Sequence, residues 1–322
     1  MTKSKTHKKK KRAEAIITVA LFTLIVLFGM AACSNAAQMP GTGGGTETSS
    51  EAPFVEGGTS FILSPDKLDV KVKVTTSDGT SVTVEGCTVT TLTSGTETTL
   101  HAQDILVILK GKITELDCYG NQLTSLNVQG STALQGLFCR NNRLIELNVQ
   151  DLTALQKLDC DKNQLTTLDV QGLTALQYLT CSDNQLTALD VQGLTALQGL
   201  FCYRNQLIEF NVQDLTALQY LRCADNQLTA LNVQGLTALK GLSCYNNRLN
   251  ADAFKKLFDD LPWCADSDGA DCILYIEESG VTEGNHTDFT ATPELANAFN
   301  NAKTVKKWKM YKRIINSVEV EI

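Results

Sequence analysis

The chain is 322 residues long and 43% hydrophobic, with 28 Lys and Arg against 35 Asp and Glu, a net charge of −7. That acidity excludes the clustered positive potential on which phosphate binding depends, so nucleic acid is not an expected partner. Only three histidines are present, which leaves little material for imidazole-based catalysis.

Residues 1–33 read as an address. "KSKTHKKKKR" is a basic region and "AIITVALFTLIVLFGM" an apolar one, the order found in an export signal. Met30-Ala31-Ala32-Cys33 resembles a bacterial lipobox, with methionine where leucine is usual, and the resemblance implies lipidation of Cys33. The alternative is an uncleaved anchor helix, for which the run is somewhat short of the required ~20 residues. Either reading places the body of the chain outside the inner membrane and attaches it there. Lys3, Lys5, Lys8, Lys9, Lys10, Lys11, Arg12 and Glu14 belong to the leader, so the remainder holds 21 basic and 34 acidic side chains, or −13. Ser34 after the lipid cysteine is not an evident retention signal, which favours the cell surface over the periplasmic side.

Residues 34–58, "SNAAQMPGTGGGTETSSEAPFVEGG", are rich in Gly, Ser, Thr and Glu and read as a flexible linker. As a coil of about 25 residues it would span roughly 25 to 30 Å. Residues 59–115 read as a β-rich N-terminal cap. "KLDVKVKVTTSDGTSVTVEG" alternates about Asp78-Gly79, a hairpin signal, and "DILVILKGKIT" brings Ile113 to a repeat leucine position. A separate immunoglobulin-like domain is the rival reading, for which about 50 residues is short.

From 116 to 249 the chain repeats every 21 residues as L-x-C-x-x-N-x-L-x-x-L-x-V-x-x-L-x-x-L-x-x, starting at Leu116, Leu137, Leu158, Leu179, Leu200, Leu221 and Leu242. A fixed period of this kind marks a solenoid in which each repeat is one coil that buries its apolar face only against its neighbours. The fold expected is a β-rich leucine-rich repeat solenoid, with a parallel β-sheet on its concave face. Cys118, Cys139, Cys160, Cys181, Cys202, Cys223 and Cys244 then stack at one depth of the core, about 4.8 Å apart. That spacing is too wide for unstrained disulfides, and thiols set parallel among leucines suit a structural ladder better than a metal or redox site. Asn121, Asn142, Asn163, Asn184, Asn205, Asn226 and Asn247 form a second ladder whose amides pair with backbone groups of neighbouring coils.

The frame "LQKLDCDKNQL", repeated with its cysteine at the last strand position, resembles the cysteine-ladder branch of the internalin-type leucine-rich repeat proteins of bacterial surfaces. The resemblance covers about 116 to 249 and implies a curved solenoid with a role in adhesion or host-cell contact. It carries no shared active site and no common partner.

Residues 250–322 read as an α+β C-terminal cap. Asn250 caps a helix "ADAFKKLFDDL" that stops at Pro262, "DCILYIEE" is a strand, Thr292-Pro293 opens a second helix, and "VKKWKMYKRI" closes as a strand. Cys264 and Cys272 are near in sequence and could pair in an oxidising compartment or remain reduced. "ADSDGADC", with Asp266, Asp268 and Asp271, resembles part of a calcium loop but lacks its full spacing and closing glutamate; a surface turn is the plainer reading.

Function belongs where the copies disagree. Three outward strand positions per repeat flank the conserved Leu and Cys, and five of the seven tyrosines of the chain occupy them. The candidate ligand-binding residues are Tyr119, Phe138, Arg140, Tyr178, Phe201, Tyr203, Tyr220, Arg222 and Tyr245, with the centre at Tyr178, Phe201, Tyr203, Tyr220 and Arg222. Exposed Tyr, Phe and Arg are enriched at binding hot spots, whereas neutral drift of a repeat surface would also vary. Residues 136–156 and 199–219 are near duplicates, so part of the pattern is copied. The partner expected is a protein, or a glycan stacking on the tyrosines. No catalytic residue, cofactor or metal is expected: Asp159 and Asp161, near Asp117, are acids on an open sheet that leaves carboxylates hydrated and their protons ordinary. The alternative to a ligand-binding role is a structural or periplasmic envelope lipoprotein.

Overall fold

The computed structural model describes residues 51–278, 280–314 and 318–322. The export signal, Cys33 and most of the expected linker lie outside the described residues.

The repeats form one three-residue strand each: β9 (Gly136–Phe138), β10 (Lys157–Asp159), β11 (Tyr178–Thr180), β12 (Gly199–Phe201), β13 (Tyr220–Arg222) and β14 (Gly241–Ser243). Each pairs in parallel with the next at a register shift of 21, leucine on leucine, as Leu158 on Leu179 and Leu179 on Leu200. The strand before them, β7 (Ile113–Asp117), belongs to the same ladder and sets Leu116 against Leu137. The repeat leucines, valines and cysteines are buried from Leu116 to Leu249, so one apolar core runs the length of the stack. This is the leucine-rich repeat solenoid expected from the period.

The asparagines hold the coils together through their backbones. Asn184 Nδ2 donates to the carbonyls of Cys181 (3.1 Å) and Cys160 (3.0 Å), while its Oδ1 accepts from Leu165 N (3.0 Å). Asn163, Asn205 and Asn226 repeat this pattern one coil apart. The amide has just the donors and acceptor to answer three backbone groups that the strand-to-turn bend would leave buried and unpaired. A second, outer column escaped the sequence reading: Asn127, Asn148, Asp169, Asp190, Asn211 and Asn232 each accept from the backbone N–H two residues on, closing an Asx turn in each of the six complete coils.

All ten described cysteines are free thiols, and those at the seven repeat positions have no exposed surface. Burial pushes the repeat thiols up, with charge repulsion from neighbouring rungs adding to it, so they stay protonated. Cys264 and Cys272 do not pair. The Cys264 thiol faces the carbonyls of Leu239 (3.7 Å) and Pro262 (3.9 Å), and Cys272 lies instead beside Cys244, with which it shares a hydrogen bond. The reason is register: Cys272 takes the leucine position of an added strand, opposite Leu242, and so points into the core.

Both ends are covered by grafted strands. At the N-terminus β2 (Asp69–Thr76) pairs antiparallel with β7 and with β5 (Glu97–His101), burying Val70, Val72 and Val74 on one side. Its backbone answers the first rung, Lys71 N donating to Asn121 Oδ1 (2.9 Å) and Asn121 Nδ2 to Lys71 O (2.7 Å). The expected hairpin about Asp78-Gly79 does not form. β2 belongs to the long sheet, whereas β3 (Val82–Glu85) pairs with β4 (Thr91–Leu92) and β6 (Leu106–Lys110) in a second sheet that also holds β1 (Gly58–Ile62) and β8 (Ser125–Asn127). The turn therefore joins two sheets, because the two apolar faces pack on each other rather than side by side. Residues 51–57 are also built in rather than part of a linker: Ala52 and Val55 are buried, and Ala52 N donates to Ser125 Oγ (2.9 Å).

At the C-terminus Asn250 caps helix α1 (Ala251–Asp260), its Oδ1 accepting from Ala253 N (2.9 Å), and the helix lays Phe254, Leu257 and Phe258 on the last coil. Strand β15 (Asp271–Ile276) continues the parallel sheet, β16 (Lys309–Ile314) follows it, and β17 (Val318–Glu321) closes antiparallel. Helix α2 (Pro293–Thr304), capped by Thr292, supplies Phe299 to a ring cluster with Phe254, Phe258 and Phe289. One twelve-stranded sheet runs from β5 through β2, β7 and β9 to β16, and ends on β17.

Candidate ligand-binding face

Strand alternation sends the residues flanking each conserved Leu and Cys to the outer side of the sheet. Registers bring the central candidates together: Tyr178, Gly199 and Tyr220 are successive partners, as are Thr180, Phe201 and Arg222. Tyr178 and Tyr119 are the open ones, at 38% and 56% exposure, while Phe138, Phe201, Tyr203, Tyr220, Arg140 and Arg222 are half-buried.

Glycine explains how the rings lie. A Cβ on Gly199 would come within 2.9 Å of both the Phe201 and Tyr178 rings, and one on Gly241 within 2.6 Å of the Tyr220 ring. Gly136 stands in the same relation to Phe138, at 3.1 Å. The rings therefore lie against glycine, Tyr178 and Tyr220 over the next strand and Phe201 and Phe138 over their own, on ground that a side chain would fill. Tyr178 adds a hydrogen bond from its hydroxyl to Gln198 Oε1 (3.1 Å), and Lys240 Nζ sits 5.3 Å from the Tyr220 centroid. The alternation of glycine with a bulky residue at this position was the sequence signal for these platforms.

Two expectations about this face are overturned. Tyr245 is buried at 7% exposure. The Arg313 guanidinium covers its ring at 5.1 Å and donates to its hydroxyl, and Ile273 and Ala224 pack beside it. The C-terminal cap thus takes the last repeat out of the face. Arg222 is also committed, its Nη1 lying 3.3 Å from Asp271 Oδ2.

The acids are the second correction. Asp161 is 2% exposed, its Oδ1 accepting from Ser182 N at 2.5 Å, and its carboxyl is pushed up to about 7 by burial first and the Asp159 charge second. Burial also raises Asp159. Their protons are not ordinary because large neighbours, Arg140 and Tyr203, occupy the same column and shut water away from the small residues between them. Tyr203 is itself raised, by burial and then by Asp161.

Three residues past the end of each repeat strand stands a residue with positive φ: Asn141, Lys162, Asp183, Arg204, Asp225 and Asn246, between 50° and 57°. This left-handed turn swings the ladder asparagine inward and leaves its own side chain outside. Arg204 thereby bridges Asp183 (3.4 Å) and Asp225 (3.8 Å), and Asn246 Nδ2 reaches Asp225 Oδ1 (2.7 Å), a polar rail along one margin of the face. In sequence these positions read only as variable.

The acidic loop disperses its carboxylates. Asp271 faces Arg222, Asp266 lies 3.8 Å from Lys307, and Asp268 accepts from Ala265 N (2.6 Å). Among the described residues no three metal-ligating side chains converge.

No protein-family model and no curated protein sequence matches the chain. Among solved structures it is similar to the functional domain of InlJ from Listeria monocytogenes, described as including a cysteine ladder, with 25% identity and a TM-score of 0.37 over 55% of this chain and 48% of that one. It is also similar to the leucine-rich repeat domain of APL1B, with 17% identity and a TM-score of 0.40 over 55% of this chain and 57% of that one. The chain spans about half the length of these structures.

Proposed function

We propose that this chain is an exported, lipid-anchored leucine-rich repeat protein that is displayed at the bacterial cell surface and holds a protein or glycan ligand on its sheet face, in adhesion or host-cell contact. It acts by binding and not by catalysis. The observation that carries the reading is the contiguous set of Tyr178, Phe201 and Tyr220 rings, laid on Gly199 and Gly241 and left partly open. Rigid aromatic surface of this kind is what a binding partner desolvates at low entropic cost. The anchor rests on the Cys33 motif, outside the described residues.

The test is binding of the full-length chain to epithelial cells and matrix proteins, beside a variant carrying Tyr178→Ser, Phe201→Ser, Tyr203→Ser and Tyr220→Ser. Binding lost in a variant whose circular dichroism matches the parent supports the adhesive face. Equal binding, or none by either protein, favours a structural envelope lipoprotein. Incorporation of labelled palmitate that is abolished by Cys33→Ser tests the anchor.

A further inference from the structure

We propose that the flank of the solenoid beyond the asparagine ladder, centred on Ile145 and Ile208, is a second docking surface, for a segment of another protein that carries Lys or Arg among aliphatic side chains. It is separate from the sheet face and does not rest on that reading. In the six complete coils the flank comprises residues 124–133, 145–154, 166–175, 187–196, 208–217 and 229–238, which contain no Lys or Arg. Their acids are Glu146, Asp151, Asp169, Asp190, Glu209 and Asp214. All six are exposed, and none forms an ion pair among the described residues. Arg143, two residues before Ile145, is turned to Ser64 Oγ in the N-terminal cap (3.3 Å). On the strand side, by contrast, Asp183, Asp225 and Asp271 each face an arginine.

Two coils of this flank are also apolar. Where the other four have Thr124, Thr166, Thr187 and Thr229, the second and fifth have Ile145 and Ile208, 63% and 56% exposed. The same two coils set Glu146 and Glu209 where the others have Ser, Thr or Ala. They also set Asp151 and Asp214 where Gly172, Gly193 and Gly235 stand, at φ of 65° and 67°, a conformation glycine holds without strain. Each of these coils thus exchanges a relaxed turn for a carboxylate and gives an isoleucine to water. Neither change helps the fold, whereas a partner with both apolar and cationic groups uses both.

The surface is open to such a partner. Equivalent residues three coils apart lie about 14 Å from one another, and clefts open along this stretch. One of about 380 Å³ is lined by Ile145, Glu146, Thr166 and Thr167, and one of about 480 Å³ by Asp190, Glu209, Phe210 and Asn211. Aliphatic side chains laid there would bury the isoleucines, and an ammonium or guanidinium group would answer the carboxylates. An anionic segment would be repelled, and a polar one would leave the isoleucines wet.

The test uses the full-length chain in an uncharged detergent and a fluorescein-labelled peptide, Lys-Val-Lys-Ser repeated three times, with binding read by fluorescence anisotropy. Two further peptides, with Glu for every Lys or Ser for every Val, separate charge from apolar contact. The Lys-Val peptide is expected to bind, more weakly in about 0.5 M than in about 0.05 M sodium chloride, and the other two to bind at least about tenfold less well. Ile145→Thr with Ile208→Thr, and Glu146→Thr with Glu209→Ala, bring each coil to the sequence of its sisters, so both variants should keep the parent's circular dichroism and melting temperature. Each is expected to lose about tenfold in affinity for the Lys-Val peptide, and the second also to lose salt dependence. No binding of that peptide, equal binding of either control peptide, or unchanged affinity in the two variants overturns the docking surface. The four-serine variant of the sheet face should bind the peptide as the parent does; loss there would place the peptide on the sheet and overturn the flank site, while failure of the flank alone leaves the sheet-face reading to its own test.

Discussion

Asn285, in the C-terminal cap, does for Leu249 what each ladder asparagine does for the coil before it: its Oδ1 accepts from Leu249 N (2.9 Å) and its Nδ2 donates to Cys244 O (2.8 Å) and Leu274 O (2.9 Å). The asparagine column therefore continues past the repeats, through a residue 38 positions beyond Asn247 that no period announces. Removing its amide leaves buried backbone groups unpaired at the end of the stack, each costing about 1–3 kcal/mol. Asn285→Leu is expected to lower unfolding free energy by about 3 kcal/mol, close to Asn184→Leu in mid-stack. Urea denaturation of both variants checks this; a loss below ~1 kcal/mol at Asn285 would show the cap to be dispensable.

Gly199→Ala should disturb the face itself. The added methyl meets two rings at 2.9 Å, so Tyr178 and Phe201 must shift, at a cost of about 1–3 kcal/mol. Gly172→Ala is the control, at a φ of 79° with open space around it, where backbone strain alone costs about 1–2 kcal/mol. Near-ultraviolet circular dichroism should change for the first and stay constant for the second.

Lys162 carries a φ of 51°, which a side chain resists and glycine does not. Lys162→Gly is expected to be neutral or stabilising by up to about 1 kcal/mol, unlike glycine at most other positions. A melting temperature lowered by several degrees would contradict this account of the turn.

Asp161 links stability to pH. Its folded carboxyl, at about 7, lies above the unfolded value of 3.8, so the folded chain binds the proton more tightly. The resulting stabilisation is complete below about pH 3.8 and is lost as pH rises through 7. Asp161→Asn keeps the acceptor for Ser182 N and removes the titration. Its melting temperature should match the wild type near pH 4 and exceed it by ~3 °C or more at pH 8, as measured by calorimetry. The same offset at both pH values would refute the linkage.

The thiols should be silent until the chain opens. All ten described cysteines are buried and free, so Ellman's reagent is expected to react slowly in buffer and fully in guanidinium. Intact mass after mild oxidation should show no two-hydrogen loss from a Cys264–Cys272 pair. Such a loss in native buffer would contradict the placement of Cys272 beside Cys244.

The period alone determined the solenoid, its inward leucines and cysteines and the asparagine ladder, because every coil meets a copy of itself and a local pattern becomes a tertiary contact by translation. The helix caps at Asn250 and Thr292 were legible for a related reason: a capping hydrogen bond spans only three residues. Where translation ends, sequence was a poor guide. The Asp78-Gly79 turn joins two sheets, Asn285 joins the ladder, and Cys272 turns from a sequence neighbour to a core position, all through pairings between residues that share no repeat. The face shows the same division. Its membership follows from strand alternation, but the burial of Tyr245 under Arg313, the engagement of Arg222 by Asp271 and the enclosure of Asp161 by Arg140 and Tyr203 depend on side chains from other coils and from the cap. Exposure is a property of neighbours in space, and only the tertiary structure supplies them.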